Sequence, residues 1–290
     1  MSVAVLNDKI RKTKNPSVIL FEADFSLLPP DLIQQEGAQL AAYRRFCTEL
    51  LEGLKGLVPA VRFSFASFAL LGVEGIQALS ACLQAACERG YYVMLDFPEV
   101  TTPSACKLSV DALLGNASLA CDAVVVGSYL GSDVIQPMKQ LCKAGKAVFC
   151  VVRTSNKSAV ELQDLLTGGR LVHTAAADVV WRHGEPLVSK CGYSQLGIVA
   201  AAGSANSLRT LRSKYGRLFM LLDGYDYPSA NAKNCSFAFD QFGHGAVVCA
   251  AASITGAWKD EPEGEKDFVA HAVAAAERMK KNLTRYINIL

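Results

Sequence analysis

The sequence predicts an α/β fold, a (β/α)8 TIM barrel running through residues 1–290 as a single domain. Three observations predict it. Eight short runs rich in Val, Ile and Leu recur along the 290 residues. The runs are continuous rather than alternating, the pattern of strands covered on both faces in a parallel sheet. Segments with apolar residues at helical spacing separate them, and this length is ordinary for one barrel. On pattern alone, a doubly wound open sheet is the competing arrangement.

In chain order the strand-like runs are 17–23 (SVILFEA), 58–66 (VPAVRFSFA), 91–97 (YYVMLDF) and 122–129 (DAVVVGSY). They continue with 146–154 (KAVFCVVRT), 196–202 (LGIVAAA), 217–224 (RLFMLLDG) and 245–251 (GAVVCAA). Helical spacing occupies 31–55, 74–89, 134–144 and 204–215, with Ser132 and Ser204 as expected N-caps and Gly90 as a helix stop. The polar stretch 257–266 reads as a loop before a long final helix ending near Arg285.

Composition narrows the function classes. Hydrophobic residues make up 51% and charged residues 19%, with a net charge of +2 and the two signs interleaved, so no surface for nucleic acid or anionic lipid is expected. The short basic run of Lys9, Arg11, Lys12 and Lys14 reads as a solvated face. Ten cysteines are scattered without a CxxC among only four histidines, which fits reduced thiols in a cytoplasmic setting. The opening residues lack a signal-peptide layout, and no apolar run is long enough to span a membrane.

In an α/β barrel the chemistry lies just beyond the C-terminal ends of the strands. Those positions hold Glu22 and Asp24, Arg62 and Ser64, Asp96 and Glu99, Arg153 to Asn156, and Asp223 with Tyr225 to Tyr227. Cys150 and Cys249 are poor nucleophile candidates because both sit in apolar runs where a reduced thiol behaves as a small core hydrophobe.

Four segments carry a family resemblance. VVRTSNKSAVELQDL (151–165), NPSVILFEADFSLLPP (15–30), VRFSFASFALLGVEG (61–75) and CDAVVVGSYLGSD (121–133) resemble, in order and spacing, the longer bacterial branch of the orotidine 5'-phosphate decarboxylases. The resemblance implies a TIM barrel, a dimer formed across the barrel mouth, a pyrimidine nucleotide as ligand, and decarboxylation without metal or cofactor. It also implies a strand-two lysine and a strand-three D-x-K-x-x-D array, whose lysine protonates the carbanion.

Carried over residue by residue, the motif is broken. Asp96 matches the first aspartate, but Pro98 stands at the lysine and Thr101 at the second aspartate. Arg62 stands at the strand-two lysine, keeping the charge on a group that makes a poor proton donor. Glu22 replaces the aspartate that would hold ribose hydroxyls, and Tyr227 falls near the phosphate-loop glutamine. Ala252 takes the place of the phosphate arginine, a contact worth about 1.5 to 3 kcal/mol. Ser155 matches the serine that would bond the pyrimidine edge, flanked by Thr154 and Asn156; the same turn also reads as plain turn and cap chemistry.

The expectation is therefore a barrel of this family that has lost decarboxylation, retains Asp96 and Arg62 as an inert ion pair, and either binds a small ligand, less anionic than a nucleotide, without catalysis or runs a different reaction. The alternatives are a working decarboxylase with a donor relocated to Lys107 or Arg153, and an interaction protein that pairs with an active relative.

Overall fold

The computed structural model describes residues 2–97 and 102–290. Eight parallel strands close into a barrel: β1 (Ser17–Phe21), β2 (Ala60–Ser64), β3 (Tyr92–Asp96), β4 (Ala123–Gly127), β5 (Ala147–Val151), β6 (Leu196–Ala201), β7 (Met220–Asp223) and β8 (Ala246–Ala250). Each pairs with its sequence neighbours, and β1 closes on β8 with Val18 opposite Cys249. Closure rules out the open sheet. Each of the eight strands lies within its sequence-read run.

The helices, in order, are α1 (Val3–Thr13), α2 (Pro30–Glu36), α3 (Gln39–Gly53), α4 (Phe65–Ala69), α5 (Gly72–Glu88), α6 (Pro103–Gly115), α7 (Ser132–Lys143), α8 (Val172–Gly184), α9 (Ala205–Lys214), α10 (Ala232–Ser236), α11 (Ala252–Thr255) and α12 (Phe268–Thr284). Their apolar faces cover the sheet, while aromatic pairs such as Phe21 on Phe63 and Phe149 on Phe219 fill space between neighbouring elements. Close packing of this kind sets Gly197 in β6: a Cβ there would fall 2.6 Å from the Phe219 carbonyl oxygen and 2.9 Å from the Phe149 ring.

Several local expectations are corrected. The stretch 31–55 is two helices, because Gly37 takes a left-handed φ of 70° and ends α2. Ser132 is the first residue of α7 rather than its cap, and its hydroxyl meets His183 Nε2 at 3.0 Å. Ser204 does stand at the N-cap position of α9, but its hydroxyl donates to Ser207 Oγ and accepts no helix N–H. The 257–266 stretch holds two short 3-10 turns, Ala257–Asp260 and Gly264–Asp267.

The basic run belongs to α1, whose apolar face of Val3, Leu6 and Ile10 is buried. The α1 segment reaches the residues that precede three strands. Val3 N–H donates to Gln195, Lys9 to the Gly90 carbonyl, and Asn15 just beyond α1 to the Leu57 carbonyl. Arg11 and Lys14 hold the C-terminal carbonyls of Leu290 and Ile289. This helix thus closes the N-terminal end of the barrel, leaving the C-terminal end as the open mouth. Ser64, Asp96, Gly127, Val151 and Asp223, the last residues of five strands, are half-buried above fully buried neighbours. No helix among the described residues is long and apolar enough to cross a membrane.

Candidate functional site at the barrel mouth

A cavity of about 410 Å³ opens at the C-terminal ends of β1, β5, β7 and β8. Leu20 and Glu22 form one wall, the Thr154–Asn156 turn a second, the Asp223–Tyr227 loop a third, and Cys249–Ala252 the fourth. The sequence-read ligand residues Glu22, Thr154, Ser155, Asn156 and Tyr227 all lie on these walls. Tyr227 is half-exposed at the rim, and the cavity remains open beside it and Tyr225. Phe97 packs on Phe65 and does not line the cavity. Glu99, Pro98 and Thr101, the last two standing at family motif positions, lie outside the described residues.

Arg62 and Asp96 lie behind the wall, where strand register brings them together: Arg62 points inward from the middle of β2 and Asp96 ends the adjacent β3. The Arg62 side chain is 6% exposed, and its Nε donates to Asp96 Oδ1 at 2.6 Å. One terminal nitrogen reaches across the barrel to Asp223 Oδ1 at 3.0 Å and contacts Cys249 Sγ at 3.7 Å. Burial acts to lower the guanidinium pKa, but the charges of Asp96 and Asp223 outweigh it and hold Arg62 well above the usual arginine range. Burial raises the Asp96 carboxyl, with the Arg62 charge and hydrogen bond pulling the other way. Glu22 is raised by burial too, offset in part by Arg62. Cys249 is pushed up to about 12 by burial, and Cys150 is fully buried, so neither thiol is poised as a nucleophile.

The turn after β5 is braced from below by Gln163 and Asp164, to which sequence reading did not assign a role. Thr154 N–H donates to Gln163 Oε1 at 2.8 Å, and Gln163 Nε2 returns a bond to Thr154 Oγ1 at 2.8 Å. Arg153, 8% exposed at its side chain, makes two bonds of 2.9 Å to Asp164, against which His173 also packs. The motif RTSN with its downstream LQDL is therefore one structural unit: the second half holds the first in shape. Thr154 Oγ1 donates to Asn156 at 2.6 Å, and Ser155 Oγ donates to the Asp223 carbonyl at 2.6 Å, joining two walls. Gly224 permits that junction. It has a φ of +78°, and a Cβ there would fall 2.4 Å from Ser155.

On the fourth wall, Asp226 Oδ2 accepts from the Ala251 N–H at 2.9 Å and the Ser253 N–H at 3.2 Å, while Ser253 Oγ donates to Oδ1 at 2.5 Å. Ala252 presents only a methyl group. Among the described residues lining the cavity there is no lysine, arginine or histidine. Lys107 lies on a separate groove between α6 and α7. Arg153 is taken up by Asp164.

No family model matches the chain. It is 29% identical over 267 residues to the orotidine 5'-phosphate decarboxylase of Rhodopirellula baltica, covering 88% of both chains. It is 25% identical over 282 residues to that of Clostridium novyi, covering 97% of both. The Leishmania donovani OMP decarboxylase structure shares the fold, with a TM-score of 0.74 at 22% identity across 99% of this chain and 98% of that one. The chain is thus similar, over almost its full length, to proteins of the orotidine 5'-phosphate decarboxylase family, and it shares their closed barrel.

Proposed function

We propose that this chain is a single-domain, non-decarboxylating member of the orotidine 5'-phosphate decarboxylase family whose barrel mouth binds a pyrimidine nucleoside or nucleotide. One observation carries the reading: the cation at the centre of the barrel is a buried arginine held between Asp96 and Asp223, and no lysine lines the cavity among the described residues. A decarboxylated ring carbanion needs a proton at the moment it forms, and a guanidinium fixed by two carboxylates is a poor source. The open cavity, Glu22 and the Ser155 turn support retention of a ligand. An absorbance assay for loss of orotidine 5'-phosphate tests this directly, beside isothermal titration with uridine 5'-monophosphate and a barbiturate nucleotide. Turnover at a rate above the uncatalysed reaction would overturn it.

The names of the relatives favour the second reading, a working decarboxylase of pyrimidine biosynthesis with a relocated donor. Neither Lys107 nor Arg153, the sequence-read donors, lines the cavity.

We further propose a homodimer. Exposed apolar side chains follow four adjacent strands: Leu70 and Val73 after β2, Leu108 after β3, Leu130 after β4, and Leu162 and Leu166 after β5. An apolar rim of this kind supports self-association. Sedimentation equilibrium that finds only monomer at micromolar concentration would refute it. All ten cysteines are free thiols, which supports a reducing, cytoplasmic setting.

A further inference from the structure

We infer that Asp226 is the specificity-determining residue of the mouth: its carboxylate stands in for a bound phosphate, fitting the cavity to an unphosphorylated nucleoside and closing it to the monophosphate. The inference rests on the pyrimidine reading above and narrows it.

A carboxylate and a phosphate make the same demand on a protein, oxyanion lone pairs set against N–H and O–H donors. The segment after β8 supplies three such donors, the N–H groups of Ala251 and Ser253 and the Ser253 hydroxyl, and all three are spent on Asp226. The side chain does not swing freely into this position. It rides on a loop fixed by Gly224 at φ +78° and by the Tyr227 N–H bonded to the Gly224 carbonyl at 3.2 Å. An arriving phosphate would have to expel this carboxylate, then sit near it and Asp223, with the methyl of Ala252 beside it.

The remaining polar wall has the opposite preference. Glu22 and Asp223 contribute carboxylates to the cavity, and no cation lines it among the described residues. Carboxylates accept hydrogen bonds, and the hydroxyls of a free sugar donate them, including the 5'-hydroxyl that a phosphate would block. A phosphate dianion accepts only. The mouth is thus built for a hydroxyl-bearing, uncharged ligand, the negative charge beside the donors after β8 being supplied by Asp226.

Isothermal titration of the full chain with uridine, uridine 5'-monophosphate and inorganic phosphate tests this, on wild type, Asp226→Ala and Asp226→Asn. Wild type is expected to bind uridine at least about tenfold more tightly than the monophosphate, and Asp226→Ala to narrow that ratio by about tenfold. Asp226→Asn keeps the shape of the turn and removes its charge, so it moves the ratio in the same direction even if the alanine variant folds poorly. Wild type preferring the monophosphate, or a ratio unmoved by either substitution, overturns the inference. Failure of uridine to bind wild type at all would remove the pyrimidine reading, and the role of Asp226 is then decided by inorganic phosphate alone. Phosphate that raises the melting temperature of the variants but not of wild type supports it; equal effects, or none on any protein, overturn it.

Discussion

Replacing Arg62 by methionine tests whether the centre of this barrel is a structural clamp. The substitution removes the cation that satisfies Asp96 at 2.6 Å and Asp223 at 3.0 Å, and leaves both carboxylates without it. At an effective dielectric near 20, two unit charges about 4 Å apart interact by about 4 kcal/mol. Breaking a buried pair by removing one partner costs about 3–5 kcal/mol. The Asp96 side chain is 25% exposed and that of Asp223 is 37% exposed, so water recovers part of the loss. We expect about 2–4 kcal/mol of destabilisation, a fall in Tm of roughly 4–8 °C for a chain of this size. Arg62→Met combined with Asp96→Asn removes a stranded charge and is expected to recover about 1–2 kcal/mol relative to simple addition of the two single effects. Urea denaturation of wild type, the two single variants and the double variant gives these values. A loss below about 0.5 kcal/mol for Arg62→Met, or strict additivity in the double variant, would refute the clamp.

Three further outcomes follow from the geometry. Gly224→Ala places a methyl against Ser155 at a positive φ, and about 1–3 kcal/mol of stability is expected to be lost together with ligand binding; an unchanged melting curve would contradict this. Asp164→Ala leaves the buried Arg153 without its two-bond partner and is expected to cost about 2–4 kcal/mol and to loosen the Thr154–Asn156 turn, seen as faster amide exchange there than in wild type. Acid should weaken the fold through Asp178 and Asp240. For Asp240, burial acts to raise the carboxyl, but the Tyr193 hydroxyl and the His244 and Phe242 N–H groups outweigh it and hold the group below the usual range. For Asp178 the same holds with Tyr215, Lys214 and Arg170. A depressed folded pKa gives stability that is complete above the unfolded value of about 3.9 and is lost as pH falls through the folded one. Asp240→Asn is therefore expected to lose less stability than wild type between about pH 5 and pH 3, and parallel acid limbs in urea titrations would exclude that role.

The strands were legible because a barrel buries both faces of each one, and eight continuous apolar runs leave little choice of where they lie. The same rule put Glu22, Asp96, Asp223 and the Thr154–Asn156 turn at the mouth, since strand ends converge there whatever their sequence. That Pro98 stands where the family resemblance places the motif lysine is a matter of residue identity alone. Sequence missed α1 as a closing helix, because its basic face hides an apolar stripe whose partners, Gln195, Gly90 and Leu57, are remote in the chain.

What only tertiary structure decided is which polar groups meet. Arg62 and Asp96 are neighbours by register, but Asp223 lies 161 residues from Arg62 and joins it only because the barrel closes. Gln163 and Asp164 acquire their role by folding back under the turn that precedes them. In sequence Asp226 is only one polar residue of the 223–227 stretch, whereas in the fold its carboxylate takes the three donors that follow β8. Hydrophobic periodicity is local and so is written along the chain. Hydrogen-bond partnership has a range of about 3 Å, and which distant residues come within it is decided only when the barrel closes.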